Sequence, residues 1–109
     1  MMASVILTDE IITTKQVLNK WRKPVSSDVM TIRELIKLHI QLEIQNNQKT
    51  DCSFLIKQKN LSVHLLIEQA IQDFINGLFF ISVGGYEAKS INDRVFLYRN
   101  TSVKFYQII

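Results

Sequence analysis

His39 and Glu43 are the two residues whose types and spacing could do chemistry, because both stand inside a broad run of apolar residues. On a helix, side chains four positions apart can touch. A histidine and a glutamate in contact could form half of a metal site or an acid–base pair, with His64 as a third candidate. The alternative is a hydrogen-bonded pair at the edge of the core, or a groove between two contact surfaces.

The second interpretation is favoured, because no Cys, Asp or further His arrives at ligand spacing. Gly84 and Gly85 precede no helix and no Lys-Ser/Thr pair follows them, so the chain has no phosphate-binding loop. Cys52 is the single cysteine and lies beside Asp51, which gives no reason to expect an activated thiolate. We therefore expect no bound metal, no cofactor and no catalytic residue.

The segment NKWRKP, residues 19–24, is the main cluster of basic residues in a chain of net charge +3. Its Trp21 could stack on a base while the neighbouring cations meet phosphates, but the repeated aromatic platform of single-strand binders is missing. The alternative is a partly buried Trp21 in a solvated loop that enters the Pro24 turn. We expect this alternative, and no nucleic-acid partner.

The composition is that of an ordinary globular protein, with 47% hydrophobic and 21% charged residues in 109. This length predicts one domain, residues 1–109. No apolar run reaches membrane-spanning length, and the first ten residues have no basic leader before their short apolar stretch. The sequence therefore predicts a cytoplasmic protein that does not bind membranes.

Two helices are indicated by end signals and apolar spacing. Thr31 and Glu34 form a T-x-x-E capping box, which predicts a helix over 31–45. Apolar residues at helical spacing predict a second helix over 62–76, with Gly77 as the left-handed residue after it and Leu78 making the apolar contact that closes the cap.

Five strands complete the prediction. The first two form a hairpin, a loop KPVSSD follows them, and the last two are antiparallel neighbours because only the short turn RNT joins them. The fold class is α+β, a mixed sheet packed on the 31–45 helix, with the second helix covering another part of the sheet or its edge. The predicted strands are 3–8, 12–18, 79–83, 94–98 and 102–109.

The C-terminal third, from Ala70 to Ile109, resembles the end of small bacterial ubiquitin-like β-grasp proteins, which are related in fold to ubiquitin and to the molybdopterin and thiamine sulfur carriers. The resemblance rests on a pattern of Gly and apolar residues, and the segment TIRELIKLHIQLEIQ is similar to the family's earlier amphipathic helix. It implies a ubiquitin-like fold with the second helix inserted. The β-grasp interpretation requires that strands 94–98 and 102–109 pair. The positions that match are Gly77, Leu78, Ile81, Val83, Gly85, Ile91, Val95, Leu97, Val103 and Phe105.

The sequence differs from this family in three respects. Segment 46–76 is longer than in ubiquitin, and Asn92 stands where an acidic residue is usual. Conjugating and sulfur-carrying members end in a flexible Gly-Gly tail, because only glycine is slim enough for the narrow channel of the activating enzyme. The sequence stops at Ile109, where such a tail would begin, so either the tail is missing from it or this member binds without being conjugated.

Two function classes follow from the resemblance. The first is a non-catalytic ubiquitin-like modifier or protein-interaction module, whose partners would include activating and transfer enzymes. The second is a stand-alone small regulator or inhibitor of the phage or mobile-element type, which binds a protein target without conjugation. A Gly-Gly ending in the native reading frame would favour the first class.

The resemblance also implies that partners bind the sheet face turned away from the main helix. Strand alternation places five apolar residues inward: Phe79, Ile81, Val83, Val103 and Phe105. The expected partner-binding residues face outward or follow at the chain end: Phe80, Lys104, Tyr106, Ile108 and Ile109. The alternative is that the second helix already covers this surface.

Overall fold

The computed structural model describes residues 3–46, 54–56, 61–97 and 101–107. Their fold is α+β, with a mixed five-stranded sheet, a two-stranded sheet and two helices. In chain order the elements are β1 (Ala3–Ile11), β2 (Gln16–Val25), β3 (Val29–Thr31), α1 (Ile32–Asn46), α2 (Val63–Ile75), β4 (Phe80–Val83), β5 (Tyr86–Glu87), β6 (Arg94–Phe96) and β7 (Thr101–Gln107).

The large sheet has the strand order β2-β1-β7-β4-β5. Strand β7 lies at its centre, parallel to β1 and antiparallel to β4, so the two ends of the described chain meet in the middle of the sheet. One face of this sheet points into the core, and its side chains Val5, Leu7, Val103 and Phe105 are fully buried. The prediction that Phe105 belongs to the core is confirmed.

The predicted N-terminal hairpin is confirmed, since β1 and β2 pair antiparallel from Ala3 opposite Val25 to Ile11 opposite Gln16. The boundaries of its second strand were wrong. Residues 12–15 form the turn, and β2 extends past residue 18 into the first half of the predicted loop, where it ends at Val25. Pro24 is compatible with β2 because β2 is an edge strand, on which the N–H groups that face away from the sheet have no ladder partner. Trp21 therefore lies in a strand opposite Leu7, half-buried against the core.

Helix α1 begins at the predicted capping box. The Thr31 hydroxyl accepts a hydrogen bond from the Glu34 N–H at 3.2 Å, and the Glu34 carboxylate accepts one from the Thr31 N–H at 3.0 Å. These reciprocal bonds satisfy backbone donors that the first turn of a helix leaves free. The apolar stripe of α1, which includes Leu35, Ile36 and Ile40, is fully buried.

Helix α2 also has the predicted ends. Ser62 caps its first turn by accepting from the Leu65 N–H at 3.3 Å. Gly77 has φ 74°, and the N–H groups of Gly77 and Leu78 donate to the carbonyls of Phe74 and Asp73, which is a Schellman ending. Leu78, whose apolar contact was expected to close this cap, is 51% exposed. The buried side of α2 packs beside α1.

The predicted antiparallel pairing of the last two strands is wrong. Strand β6 pairs with β3 in the separate two-stranded sheet. Both edges of β7 are already occupied by β1 and β4, so no edge remains for β6. The N-terminus of α1 holds the segment before β6 instead, because the N–H groups of Ile32 and Arg33 donate to the carbonyls of Asp93 and Ile91, each at 3.0 Å.

Candidate functional site

A cluster of three ionisable side chains lies inside the core, between the large sheet and α1. Nε2 of His39 is 2.5 Å from Oδ1 of Asp9, and Nδ1 of His39 is 3.0 Å from Oε2 of Glu43. The exposed fractions of Asp9, His39 and Glu43 are 0%, 0% and 2%. Nδ1 of His39 forms an ion pair with Glu43, but the angles at this contact are not those of a hydrogen bond.

Each carboxylate of the cluster has further partners. Asn19 donates its side-chain N–H to Oδ2 of Asp9 at 3.0 Å. Glu43 accepts hydrogen bonds from the backbone N–H groups of Phe54 and Leu55, the latter at 3.0 and 3.1 Å from its two oxygens. Glu43 thus ties the short buried segment 54–56 to α1, which satisfies backbone donors that burial would otherwise leave unpaired.

Aromatic rings surround the His39 imidazole. The ring centroids of Phe105, Trp21 and Phe54 lie 4.3, 5.3 and 6.0 Å from the centroid of the imidazole. Burial among them by itself lowers the pKa of His39, but the contacts with Asp9 and then with Glu43 outweigh it and raise the pKa to about 9. At neutral pH the ring is therefore an imidazolium held between two carboxylates.

This geometry makes the cluster a structural ion network. A general acid or base must reach a substrate proton, and none of these three side chains reaches the surface. Both ring nitrogens of His39 face carboxylates, so neither is available to a metal ion. Across the described ranges, no group of three or more His, Cys, Asp or Glu side chains is arranged to hold a metal.

The predicted contact of His39 with Glu43 is confirmed, but the predicted third member was wrong. His64 is exposed in the first turn of α2, where it lines a surface groove with Arg33 and Lys37. The third member is Asp9. The alternation of β1 carries the signal that could have found it, because Asp9 follows Val5 and Leu7 in the inward-facing register.

The opposite side of the large sheet is a second candidate site, which we call the outer face. It consists of the side chains that alternate along the strands with the inward-facing residues, and cross-strand pairing places them side by side. They are half-buried or exposed. Helix α1 packs on the opposite, buried side, where His39 contacts Asp9 and Phe105, and α2 packs beside α1. The outer face comprises Ile6, Thr8, Glu10, Lys20, Arg22, Phe80, Ser82, Glu87, Ser102, Lys104 and Tyr106.

Three of the predicted partner-binding residues lie on the outer face. Phe80 pairs with Tyr106 across β4 and β7, and their rings stack with centroids 5.4 Å apart. Nζ of Lys104 is 3.0 Å from Oε2 of Glu10. Phe80, Lys104 and Tyr106 keep part of their surface exposed. Ile108 and Ile109 lie outside the described residues.

Comparison of this chain with protein-family models, with curated proteins and with solved structures finds no significant match. Among the described residues, no helix is long and apolar enough to cross a membrane.

Proposed function

We propose that this chain is a non-catalytic protein-interaction module that binds a protein partner through its outer face. The observation that carries the proposal is the stacked pair of Phe80 and Tyr106, which remains partly exposed on the outer face of the sheet. Aromatic side chains in such patches supply a large part of the energy of protein interfaces. The inaccessible Asp9–His39–Glu43 network supports a binding function over a catalytic one.

We further propose that the fold is of the ubiquitin-like β-grasp type. Support comes from the mixed sheet, in which β1 and β7 are parallel at the centre with antiparallel β2 and β4 on either side, and from α1 across one face. The pairing of strands 94–98 and 102–109, stated above as a requirement of this interpretation, is not formed, because β6 pairs with β3. That requirement was inferred from the short connection RNT, whereas the strand order of the large sheet does not depend on where β6 lies. The proposal therefore rests on the central strands and α1.

The binding proposal is tested with Phe80→Ala and Tyr106→Ala in a pull-down and a thermal melt. We expect each change to weaken partner binding by about 1–3 kcal/mol, because a truncated anchor loses contacts that exist only in the complex. Loss of the mutual ring stacking costs up to about 1 kcal/mol of folding stability. The melting temperature should therefore fall by only about 4–8 °C.

Leu65→Ala is the matched control, since Leu65 is a 51% exposed apolar residue on α2. It should leave binding unchanged. If the Phe80 and Tyr106 variants bind normally but their melting temperatures fall far more than this, both residues belong to the folded core and the proposal fails. Normal binding with a normal melt would also contradict the proposal, because the interface would then lie elsewhere. The segment from Tyr106 to Ile109 would be the next candidate.

The modifier and regulator versions of this function differ in covalent attachment. A modifier would be recovered from its native cells in covalent adducts that survive boiling in detergent, whereas a regulator would be recovered only at its own mass. The measurement is mass spectrometry of the affinity-purified native protein. Finding adducts joined through the chain's C-terminus would decide for the modifier.

A further inference from the structure

The outer face divides into two ends of different chemistry. Across β1, β7 and β4, Glu10, Tyr106 and Phe80 form one row, and Glu87 adjoins it; we call this the aromatic end. On β2, Lys20 lies opposite Thr8 and Arg22 lies opposite Ile6; these two cations form what we call the basic end.

The carboxylates at the aromatic end are already occupied. The hydroxyl of Tyr106 donates to Oε1 of Glu87 at 2.5 Å, and Lys104 forms its ion pair with Glu10. Burial, this hydrogen bond and the charge of Glu87 raise the pKa of Tyr106 to about 12, so the hydroxyl stays protonated as a donor. What this end offers a partner is therefore the two rings rather than free charge.

A cavity adjoins the same end of the outer face. It has a volume of about 520 Å³ and lies beside Phe80 and Glu87, with Phe74, Ile75 and Phe79 among its apolar lining residues. A large apolar side chain of a partner can enter it while contacting the Phe80 ring. Anchors of this kind, seated in a pocket, are typical of the strongest contacts in protein interfaces.

Among the described residues, the basic end has no ion-pair partner. Lys20 and Arg22 are exposed, and neither forms an ion pair within the described residues. The hydroxyls of Thr8 and Ser102 lie on the adjoining strands of the same face. Three strand spacings of about 4.8 Å separate β2 from β4, and Lys20 and Arg22 stand two and four residues along the strands from the row of Phe80. At about 3.4 Å per residue, the two cations lie about 16 and 20 Å from Phe80.

We propose, building on the function above, that the partner presents an acidic protein segment to the outer face. Its carboxylates would meet Lys20 and Arg22, and a large apolar side chain about 16–20 Å away would lie against Phe80 and Tyr106. A nucleic acid fits less well, because Phe80 and Tyr106 are the only rings among the described residues of the outer face, whereas single-strand binders stack successive bases on repeated aromatic side chains along a basic groove.

The test is selection of short random peptides displayed on phage, with the wild-type protein as bait. We expect the enriched peptides to be acidic and to carry a large apolar residue. Their affinity, measured by fluorescence polarisation, should fall about tenfold or more in the double variant Lys20→Glu/Arg22→Glu and should decrease with added salt. The matched control is Arg33→Glu/Lys37→Glu, the same charge change at exposed positions of α1.

Each outcome discriminates. Enriched peptides that are neutral or basic, or an equal loss in both double variants, would overturn the acidic-segment proposal. Peptides that need Phe80 and Tyr106 but not Lys20 and Arg22 would leave the proposed function standing and refute this inference alone. Tighter binding of a fluorescein-labelled single-stranded oligonucleotide than of any selected peptide, lost in the Lys20→Glu/Arg22→Glu variant, would assign the face to nucleic acid and refute it too.

Discussion

Raising the pH is the perturbation that acts most selectively on the buried ion network. The pKa of His39 is about 9 in the folded protein against an ordinary value of 6.5, and its described charged neighbours are Asp9 on β1 and Glu43 on α1. Because folding raises this pKa, the unfolded chain loses the proton first as the pH rises. The stabilisation that the protonated His39 gives the folded state is complete below pH 6.5 and is lost as the pH rises from 6.5 to 9.

The loss of folding stability can be calculated from the shift in the pKa of His39. One proton bound only by the folded state gives a slope of about 1.4 kcal/mol per pH unit, and the interval from 6.5 to 9 then amounts to about 3 kcal/mol. This is a large part of the 5–15 kcal/mol by which domains are typically stable. The free energy of unfolding should therefore decrease markedly by pH 9.

The assay is urea unfolding followed by circular dichroism at a series of pH values from 6 to 9.5. A Cys52→Ser background is used, so that a thiol with an ordinary pKa near 8.5 does not titrate in the same range. His64→Ala is the matched control and should keep the full alkaline loss, because His64 is exposed and lies outside the network. His39→Gln should abolish the slope.

A flat stability profile from pH 6.5 to 9 would refute the reasoning. If His39→Gln does not fold, NMR titration of the His39 ring protons in the folded wild-type protein gives the pKa directly. A value at or below 6.5 would mean that burial outweighs the two carboxylates. The ring would then be neutral at physiological pH, and the ion network would not exist as described.

Two further predictions concern stability alone. Glu43→Gln should lower the free energy of unfolding by about 3 kcal/mol in urea titrations, because it removes one member of a buried ion pair and an acceptor for the Leu55 N–H, whereas Gln45→Ala on the exposed side of α1 should have little effect; an equal loss in both variants would contradict this. Gly77→Ala should cost about 1 kcal/mol in the same assay, since φ is 74° and a Cβ there meets no neighbouring atom, so the cost is conformational only; no measurable cost would show that α2 can end without a left-handed residue.

Local sequence signals determined the elements that they directly encode. The capping box at Thr31 and Glu34 places the start of α1, Gly77 places the end of α2, and the alternation of β7 places Phe105 in the core. These features depend on hydrogen bonds and side-chain directions within a few residues, so the printed sequence contains all that is needed to predict them.

Tertiary structure decided the rest, because it depends on contacts between distant parts of the chain. Asp9 meets His39 across 30 positions only because α1 lies over β1, and no spacing rule in the sequence connects the two residues. Likewise, β6 was assigned to β7 on the strength of a short connection, but β1 and β4 occupy both edges of β7 and the start of α1 holds the segment before β6. Which strand edges remain free is a property of the assembled sheet, and the order of the strands along the chain does not determine it.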